Sequence, residues 1–229
     1  MSPEQYSNSF RSILEAHADP QRAADQSAYL ENRFVLFGLK QSPRRNLFKQ
    51  FMKEEGIPPL HSYPEFVREL YAQDEREFHY CAIELAARYT KTDGNYQHRL
   101  EVVEFLVTNH SWWDSVDACV SALIGELFLQ FPEEVDPLSL KWAKSENIWL
   151  KRVSIIGQLK MREKTDLDVL FRNILLNLGS SEFFVNKAIG WALRELSKTK
   201  PEVVREFVSK NELAPLSERE AMRLILAKA

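Results

Sequence analysis

Glycine is scarce in this sequence, with only 7 glycines among 229 residues. β-rich folds and dinucleotide-binding α/β folds use glycine in turns with positive φ, so the scarcity argues against both classes. The residues that are abundant instead, among them leucine, alanine, glutamate, lysine and arginine, are strong helix formers. Apolar residues still make up 45% of the chain, which is enough for a sizeable core. We therefore predict an all-α fold.

Cysteine is also rare, since Cys81 and Cys119 lie 38 residues apart and form no CxxC pair. Two buried thiols fit a reducing compartment, and no basic-then-apolar start suggests a signal peptide, so we expect a cytoplasmic protein. The longest mainly apolar run, 118–129, contains Glu126 and is too short to span a bilayer, so no membrane partner is expected. The five histidines lack metal-ligand spacing and no glycine-rich phosphate loop occurs, so we expect neither a metal nor a cofactor.

Charge is distributed unevenly along the chain, although the net charge is only −3. Residues 1–75 carry −2, residues 76–140 carry −7, and residues 141–229 carry +6. A C-terminal third of that sign can hold a polyanion. A solvated helical surface with uneven charge gives the same pattern, so charge alone leaves nucleic-acid binding open.

Cap and break residues divide the chain into short helices. Helix starts are predicted at Ser42 before Pro43, Ser111 with Asp114, Thr165 with Asp168, and Ser217 with Glu220. Breaks are predicted at 56–59, 92–94, 131–132, 136–137 and 179–180. No alternating strand, low-complexity segment or long linker stands out. We predict a single domain with N-terminal helices over 1–75 and the clearest repeats over 76–229.

Four aromatic residues recur at a nearly constant interval. Phe78, Trp113, Trp149 and Phe184 are separated by 35, 36 and 35 residues. A period near 35 with helix-only patterning is typical of stacked helical pairs. We therefore predict an α-solenoid whose curvature leaves a concave groove. The alternative is that four similar amphipathic helices imitate a repeat by chance.

The repeat places an acid, two bases and an indole in one column. Counted from the aromatic of its own repeat, Asp117 is at +4 and Arg152 at +3. Lys187 is at +3 and Trp191 at +7 of the last repeat, and these offsets share one helix face. Trp113 borders the column one turn before Asp117. Stacking would thus gather residues from distant parts of the chain.

Such a cluster suits a reaction at a sugar that lies between phosphates. An indole wall excludes water and strengthens nearby charges, and a carboxylate can stabilise a developing sugar cation. Arginine can hold a phosphate with two parallel hydrogen bonds. Two plainer alternatives remain: Trp113 is ordinary core, and Asp117 with Arg152 is a structural ion pair.

Several segments resemble the DNA alkylation repair family of HEAT-like-repeat DNA glycosylases of the AlkD type. The likeness covers about residues 20–225. The segments are SWWDSVD (111–117), NIWLKR (147–152), KAIGWALRE (187–195), NELAPLSEREA (211–221) and, more loosely, YLENRFVLFGLKQSPRR (29–45). Lys40-Gln41-Ser42 departs from the family pattern, where a Gln-Thr pair before the proline is common, which leaves the N-terminal DNA contacts open.

The resemblance implies an enzyme that removes alkylated purines from duplex DNA by hydrolysing the N-glycosidic bond. Favoured lesions would be cationic, such as N3-alkyladenine and N7-alkylguanine, and the lesion would stay exposed instead of entering a snug pocket. The family's catalytic aspartate matches Asp117, and its phosphate-holding arginine matches Arg152. Its two cleft tryptophans match Trp113 and Trp191. No lysine stands out as a lyase nucleophile, so we expect a monofunctional enzyme.

Further DNA contacts are predicted among the basic residues near this face and in the N-terminal helices. They are Lys187, Lys151, Arg44, Arg45, Lys49, Arg88 and Arg194, together with Tyr29, which matches a family aromatic loosely. A solvated surface charge is the alternative for each base. We expect a monomer, cytoplasmic and at the nucleoid when bound to DNA. The rival class is a non-catalytic solenoid that binds DNA or protein.

Overall fold

The computed structural model describes residues 1–159 and 161–227, and in these residues the protein is all-α, as its composition predicts. The α-helices are α1 (Pro3–Ala16), α2 (Pro20–Tyr29), α3 (Gln41–Glu54), α4 (Tyr63–Tyr71), α5 (Arg76–Ala87), α6 (Tyr96–Thr108), α7 (Trp113–Cys119), α8 (Gly125–Gln130), α9 (Val135–Ala143), α10 (Ile148–Ile156), α11 (Leu167–Leu175), α12 (Phe183–Leu196), α13 (Pro201–Lys210) and α14 (Pro215–Leu226). The described residues form no β-strand, and one isolated bridge joins Val35 to Glu75.

The chain divides into two compact units, an N-terminal unit (Met1–Val102) and a C-terminal unit (Val103–Ala229). The boundary falls inside α6. The single domain and the concave groove stay predictions.

Aromatic side chains fill the core of the N-terminal unit. Phe10 of α1 lies 4.9 Å from Phe48 and 5.0 Å from Phe51 of α3, between ring centroids. Tyr6 meets Phe51 and Phe66 edge to face at 4.7 and 5.2 Å. Such contacts add to the burial of large apolar rings, so α1, α3 and α4 are held by one aromatic cluster.

The segment before α3 is fixed by a buried carboxylate. The side chain of Glu77 accepts backbone N–H bonds from Phe37 (3.1 Å), Gly38 (2.9 Å) and Leu39 (3.1 Å). Gly38 has φ +88°, and a Cβ there would lie 2.2 Å from the carbonyl oxygen of Asp19. Only glycine fits this position, and the backbone that leads into α3 is therefore held in one conformation.

Helical pairs repeat in the C-terminal unit with the predicted period. The helices α7, α10 and α12 begin at Trp113, Ile148 and Phe183, each 35 residues after the last. Along this series α10 packs against α7, α9, α11 and α12, and α12 packs against α13 and α14. These two helices therefore pack against helices of their own and of neighbouring repeats, as repeat architectures require.

The aromatic that joins the repeat cluster is Trp112, and the prediction of Trp113 for that position is wrong. Trp112 precedes α7 in an extended conformation and is buried. Its ring centroid lies 5.7 Å from Trp149 and 4.9 Å from Phe184, which are 5.1 Å apart. Trp113 is the first residue of α7 and is partly exposed.

The four predicted helix caps are wrong in detail. Ser42 lies inside α3, which begins after Lys40, and α7 begins after Trp112 and not after Ser111. Asp166, one residue beyond Thr165, caps α11 by accepting the backbone N–H of Val169 at 3.1 Å.

The fourth cap prediction, Ser217, is also wrong, because this residue lies inside α14 and its hydroxyl bonds to another helix. Ser217 is buried in the first turn of α14, where its hydroxyl donates to the carbonyl oxygen of Asn186 of α12 at 2.8 Å. This contact between helices replaces the cap.

Four of the five predicted breaks are confirmed, and one is wrong. The segments 56–59, 92–94, 131–132 and 179–180 lie between α-helices, with Gly56 and Gly179 at positive φ and Pro132 at the start of a short 3₁₀ helix, Pro132–Glu134. Asp136-Pro137 instead lies in the first turn of α9. A proline is tolerated there because the first N–H groups of a helix have no intrahelical partner.

A π-helical segment, Val120–Ile124, connects α7 to α8. Among residues 1–159 and 161–227 no single helix is long and apolar enough to cross a membrane. One pair, Trp113–Gln130 with Pro132–Ala143, passes the length and composition test together but is bent by 106°.

Substitution of Gly190 tests how closely α12 and α14 pack. A Cβ there would lie 2.6 Å from the Cβ of Glu220 and 2.9 Å from the carbonyl oxygen of Ser217. We expect Gly190→Ala to lower the free energy of unfolding by about 1–3 kcal/mol, because overpacking outweighs the gain in helix propensity. Gly125→Ala is the control, since a Cβ there meets only the carbonyl oxygen of Val120 at 3.7 Å. Urea unfolding measures both; equal effects would contradict the tight crossing.

Candidate active site

An acid and two bases occupy equivalent positions in successive repeats. Asp117, Arg152 and Lys187 are the fifth residues of α7, α10 and α12. Counted from the aromatic residues, Asp117 was at +4 and the two bases at +3. Counted from the first residue of each helix, all three are at the same position, so the difference disappears. The residues therefore stand side by side where the helices pack.

Asp117 and Arg152 form a two-point ion pair. Arg152 donates from Nε to Oδ1 and from Nη2 to Oδ2 of Asp117, both at 2.9 Å. Its Nη1 donates to the backbone carbonyl oxygen of Phe184 at 2.8 Å. The side chain of Arg152 is 3% exposed and that of Asp117 is 21% exposed. The arginine is thus the interior partner, and the carboxylate lies on the more open side.

This geometry does not fit the expectation that Arg152 holds a DNA phosphate. Each of its three nitrogens already donates to protein oxygen, and the guanidinium is almost fully buried. Arg152 instead orients the carboxylate of Asp117. Phe184 takes part through its main chain, and the sequence carries no signal for that contact.

Indole rings border the pair. The guanidinium carbon of Arg152 lies 5.8 Å from the centroid of the Trp191 ring, within the range of a cation–π contact. Trp191 and Trp113 are both partly exposed, and Trp113 lies one turn before Asp117 on α7. The structure therefore brings Asp117, Arg152 and Trp191 together and leaves Trp113 outside the fully buried core.

Burial raises the pKa of Asp117 above its ordinary value. The hydrogen bonds and the positive charge of Arg152 oppose this rise, whereas the negative charge of Asp114 adds to it. A carboxylate in such surroundings carries poorly solvated negative charge. It can therefore interact strongly with a cation that forms beside it.

Two predicted DNA contacts of α12 share one acid. Lys187 donates to Oε1 of Glu220 at 3.0 Å, and Arg194 donates to Oε2 of the same residue. Glu220, predicted only as a capping acid, is buried here. Lys151, next to Arg152 on α10, is partly exposed.

Four predicted contacts of the N-terminal unit lie on its surface. Tyr29 is 72% exposed at the end of α2. Arg45 has a 55% exposed side chain that pairs with Glu84 at 2.7 Å. Lys49 is exposed on α3, as is Arg88 after α5.

The prediction that Arg44 contacts DNA is wrong. It is buried, with Nη2 donating to Glu84 at 2.7 Å and Nη1 donating to Sγ of Cys81 at 3.2 Å. Its guanidinium carbon also lies 5.1 Å from the centroid of the Tyr80 ring. A side chain enclosed in this way joins α3 to α5 and cannot face a phosphate.

A cavity of about 270 Å³ lies elsewhere in the C-terminal unit. It is lined by residues of α10, α11 and α12, among them Ile155, Leu170 and Leu196. Neither Asp117 nor Arg152 lines it. In the described part of the chain no three His, Cys, Asp or Glu side chains are grouped so as to hold a metal ion.

Comparison with known proteins shows the class to which this fold and this ion pair belong. Residues 10–225 match the family described as DNA alkylation repair enzyme. The match covers nearly the whole chain, and the chain belongs to this family.

Solved structures agree with the family. A predicted DNA alkylation repair enzyme from Enterococcus faecalis is 34% identical, with a TM-score of 0.85 over 93% of this chain and 98% of that chain. AlkD2 from Streptococcus mutans is 18% identical, with a TM-score of 0.61 over 88% of this chain and 96% of that chain. Smu.31 from Streptococcus mutans UA159 is also 18% identical, with a TM-score of 0.59 over 79% and 96%. The last two share the fold. No curated protein sequence matches the chain.

Removal of the interior arginine tests its structural role. We expect Arg152→Gln to lower the free energy of unfolding by about 3–5 kcal/mol, because the Asp117 carboxylate loses its partner in a largely buried site. Arg205→Gln is the matched control: it also removes a paired arginine, but from an exposed pair with Glu202 on α13. Exposed pairs contribute about 0–1 kcal/mol. Urea unfolding compares the two, and equal losses would contradict a special role for the interior pair.

Proposed function

We propose that the protein is a monofunctional DNA glycosylase that hydrolyses the N-glycosidic bond of cationic N3- and N7-alkylpurines in duplex DNA. Membership of the DNA alkylation repair enzyme family supports the substrate class. The observation that carries the chemistry is the Asp117 carboxylate, held by Arg152 and bordered by Trp191. The proposal includes a monomer that acts in the cytoplasm at the nucleoid.

The charge of the lesion determines what the protein must supply. A purine alkylated at N3 or N7 bears positive charge, so it takes the electron pair of the breaking bond and leaves neutral. No general acid is needed. The remaining positive charge develops on the deoxyribose, and water adds to C1′ and loses a proton. The products are the free base and an abasic site.

Asp117 is the group that meets this developing charge. Its carboxylate is less buried than its partner, so it can face C1′ while Arg152 fixes its orientation from the interior. A fixed negative charge stabilises the sugar cation without reorganisation during the reaction. The same oxygen atoms can orient the attacking water.

The tryptophans supply an apolar, electron-rich border. The π faces of Trp113 and Trp191 can flank the electron-poor deoxyribose, an attraction related to cation–π contacts and worth roughly 1–2 kcal/mol when water is excluded. Both side chains keep part of their surface exposed, so they can contact DNA without rearrangement of the core.

A second candidate is a non-catalytic helical protein that binds DNA or protein. It is favoured by the pairing of both Asp117 oxygens with Arg152, which is also how a purely structural ion pair looks. Release of free base from duplex DNA that contains N7-methylguanine separates the candidates. A binding protein would retain the duplex and release nothing.

The first catalytic test removes one negative charge. We expect Asp117→Asn to fold and to bind duplex DNA, since an amide oxygen still accepts from Arg152, but to release base roughly 10²–10³-fold more slowly. Asp114→Asn is the matched control, because it removes an equal charge from the same helix. Single-turnover release of N7-methylguanine measures both. Base release by Asp117→Asn at the wild-type rate would exclude the assignment.

The pH dependence of base release follows from the pKa of Asp117. The carboxylate must be ionised, and burial raises its pKa. As the pH falls through that raised pKa, the negative charge is lost and the rate should decline at a pH above the value of about 3.9 for an ordinary aspartate. Rates between about pH 4 and 9, with the enzyme-free rate subtracted, give the profile. A rate that stays level down to ordinary aspartate pKa values would contradict the role of an ionised Asp117.

A further inference from the structure

Three basic side chains of α12 and α14 pair with one buried carboxylate, and a fourth base, Arg219, precedes that acid in the sequence. Glu220 of α14 receives Lys187 at 3.0 Å and also Arg194, both from α12. Arg223, one turn further along α14, lies 3.9 Å from the same carboxylate. Arg219 stands next to Glu220 and is exposed, and in the described part of the chain it forms no ion pair. We name these four bases the α12–α14 basic cluster.

The close crossing of the two helices holds the cluster in one geometry. Gly190 of α12 leaves no room for a Cβ against Glu220, and Ser217 of α14 donates to the carbonyl oxygen of Asn186. The carboxylate is therefore fixed between the helices, and it fixes the bases that contact it. A basic cluster with preset positions loses less conformational entropy when it binds an anion.

The cluster carries more positive charge than its acid neutralises. Three bases pair with the single negative charge of Glu220, and among the described residues Arg219 has no acid of its own. The other acid near Arg194, Glu195, is paired with Lys198. Burial lowers the pKa of Lys187, and the positive charges of Arg194, Arg219, Arg223 and Arg152 lower it further. The bases thus repel one another, and an anion placed among them would relieve this repulsion.

The cluster is continuous with the candidate active site. Lys187, Trp191 and Arg194 are spaced by four and three residues on α12, so they lie along one face of that helix. Trp191 is the member of this face that also borders Arg152. An anion bound by the cluster would therefore lie beside the reacting nucleotide.

We propose that the α12–α14 basic cluster binds backbone phosphates of the damaged duplex, with Arg219 and Arg223 as contacts that add to Lys187 and Arg194. This inference rests on the proposed function. In this proposal these residues contact the phosphates in place of Arg152, because the guanidinium of Arg152 is paired with Asp117. The ligand is one strand of DNA backbone, and the contacts carry no sequence information.

The test removes the two exposed arginines of α14. The variant Arg219→Gln/Arg223→Gln and the wild type bind an undamaged duplex, followed by fluorescence anisotropy between about 50 and 200 mM salt. Each lost phosphate contact flattens the plot of log affinity against log salt by roughly 0.9. We expect the slope of the double variant to be flatter by roughly 1–2, with weaker binding at every salt concentration. Arg219→Lys/Arg223→Lys keeps both charges and should retain most of the slope.

A matched control separates contact from net charge. Arg205→Gln/Lys210→Gln also removes two positive charges from the C-terminal unit, but these side chains pair with Glu202 and Glu206 on α13. It should keep the wild-type slope. Equal flattening in both Gln double variants, or in neither, would overturn the inference.

Base release by the wild type tests the proposed function separately. If the wild type binds duplex with a slope that depends on the two arginines but releases no N7-methylguanine, the inference stands and the glycosylase assignment fails. If the wild type releases base but the slope does not change when the two arginines are replaced, the inference fails and the glycosylase assignment stands. A wild type that does not bind duplex DNA would overturn both.

Discussion

The interior pairing of Asp117 with Arg152 is the constraint on which the site depends. A charge enclosed by protein is costly unless a partner of opposite sign meets it with good geometry. Here the planar guanidinium meets both oxygens of the carboxylate and uses its remaining nitrogen on the main chain of the next repeat. One side chain therefore joins helices of three successive repeats at the position where the chemistry is proposed.

Much of this arrangement could be predicted from the sequence because it is periodic. Low glycine content predicted helices, and the interval near 35 residues predicted that Asp117 and Arg152 would meet. The same interval could not decide between two adjacent indoles. Trp112 adopts an extended backbone before α7 and joins the buried cluster, which leaves Trp113 at the partly exposed start of the helix. That choice depends on where the helix begins, and cap patterns predicted the starts poorly.

Roles that depend on burial were the least predictable. Arg44 and Arg45 are adjacent in sequence, yet about 100° apart around a helix, so one reaches the interior and the other the surface. Charge counting treats them alike. Glu220 shows the converse: its sequence position suggested a cap, whereas the crossing of α12 and α14 makes it the shared acid of several bases. Long-range packing decides these cases, and no local pattern records it.

The π-helical segment Val120–Ile124 has a consequence for evolutionary comparison of this family. Its wider turn accommodates one residue more than a regular helix would, within a helix that runs on from Asp117 into α8. Each residue rotates a helix by about 100°. A relative that lacks one residue here can keep its aspartate in place while α8 presents the same inward side. Alignments that force uniform spacing through this stretch would assign the wrong side chains to the interior.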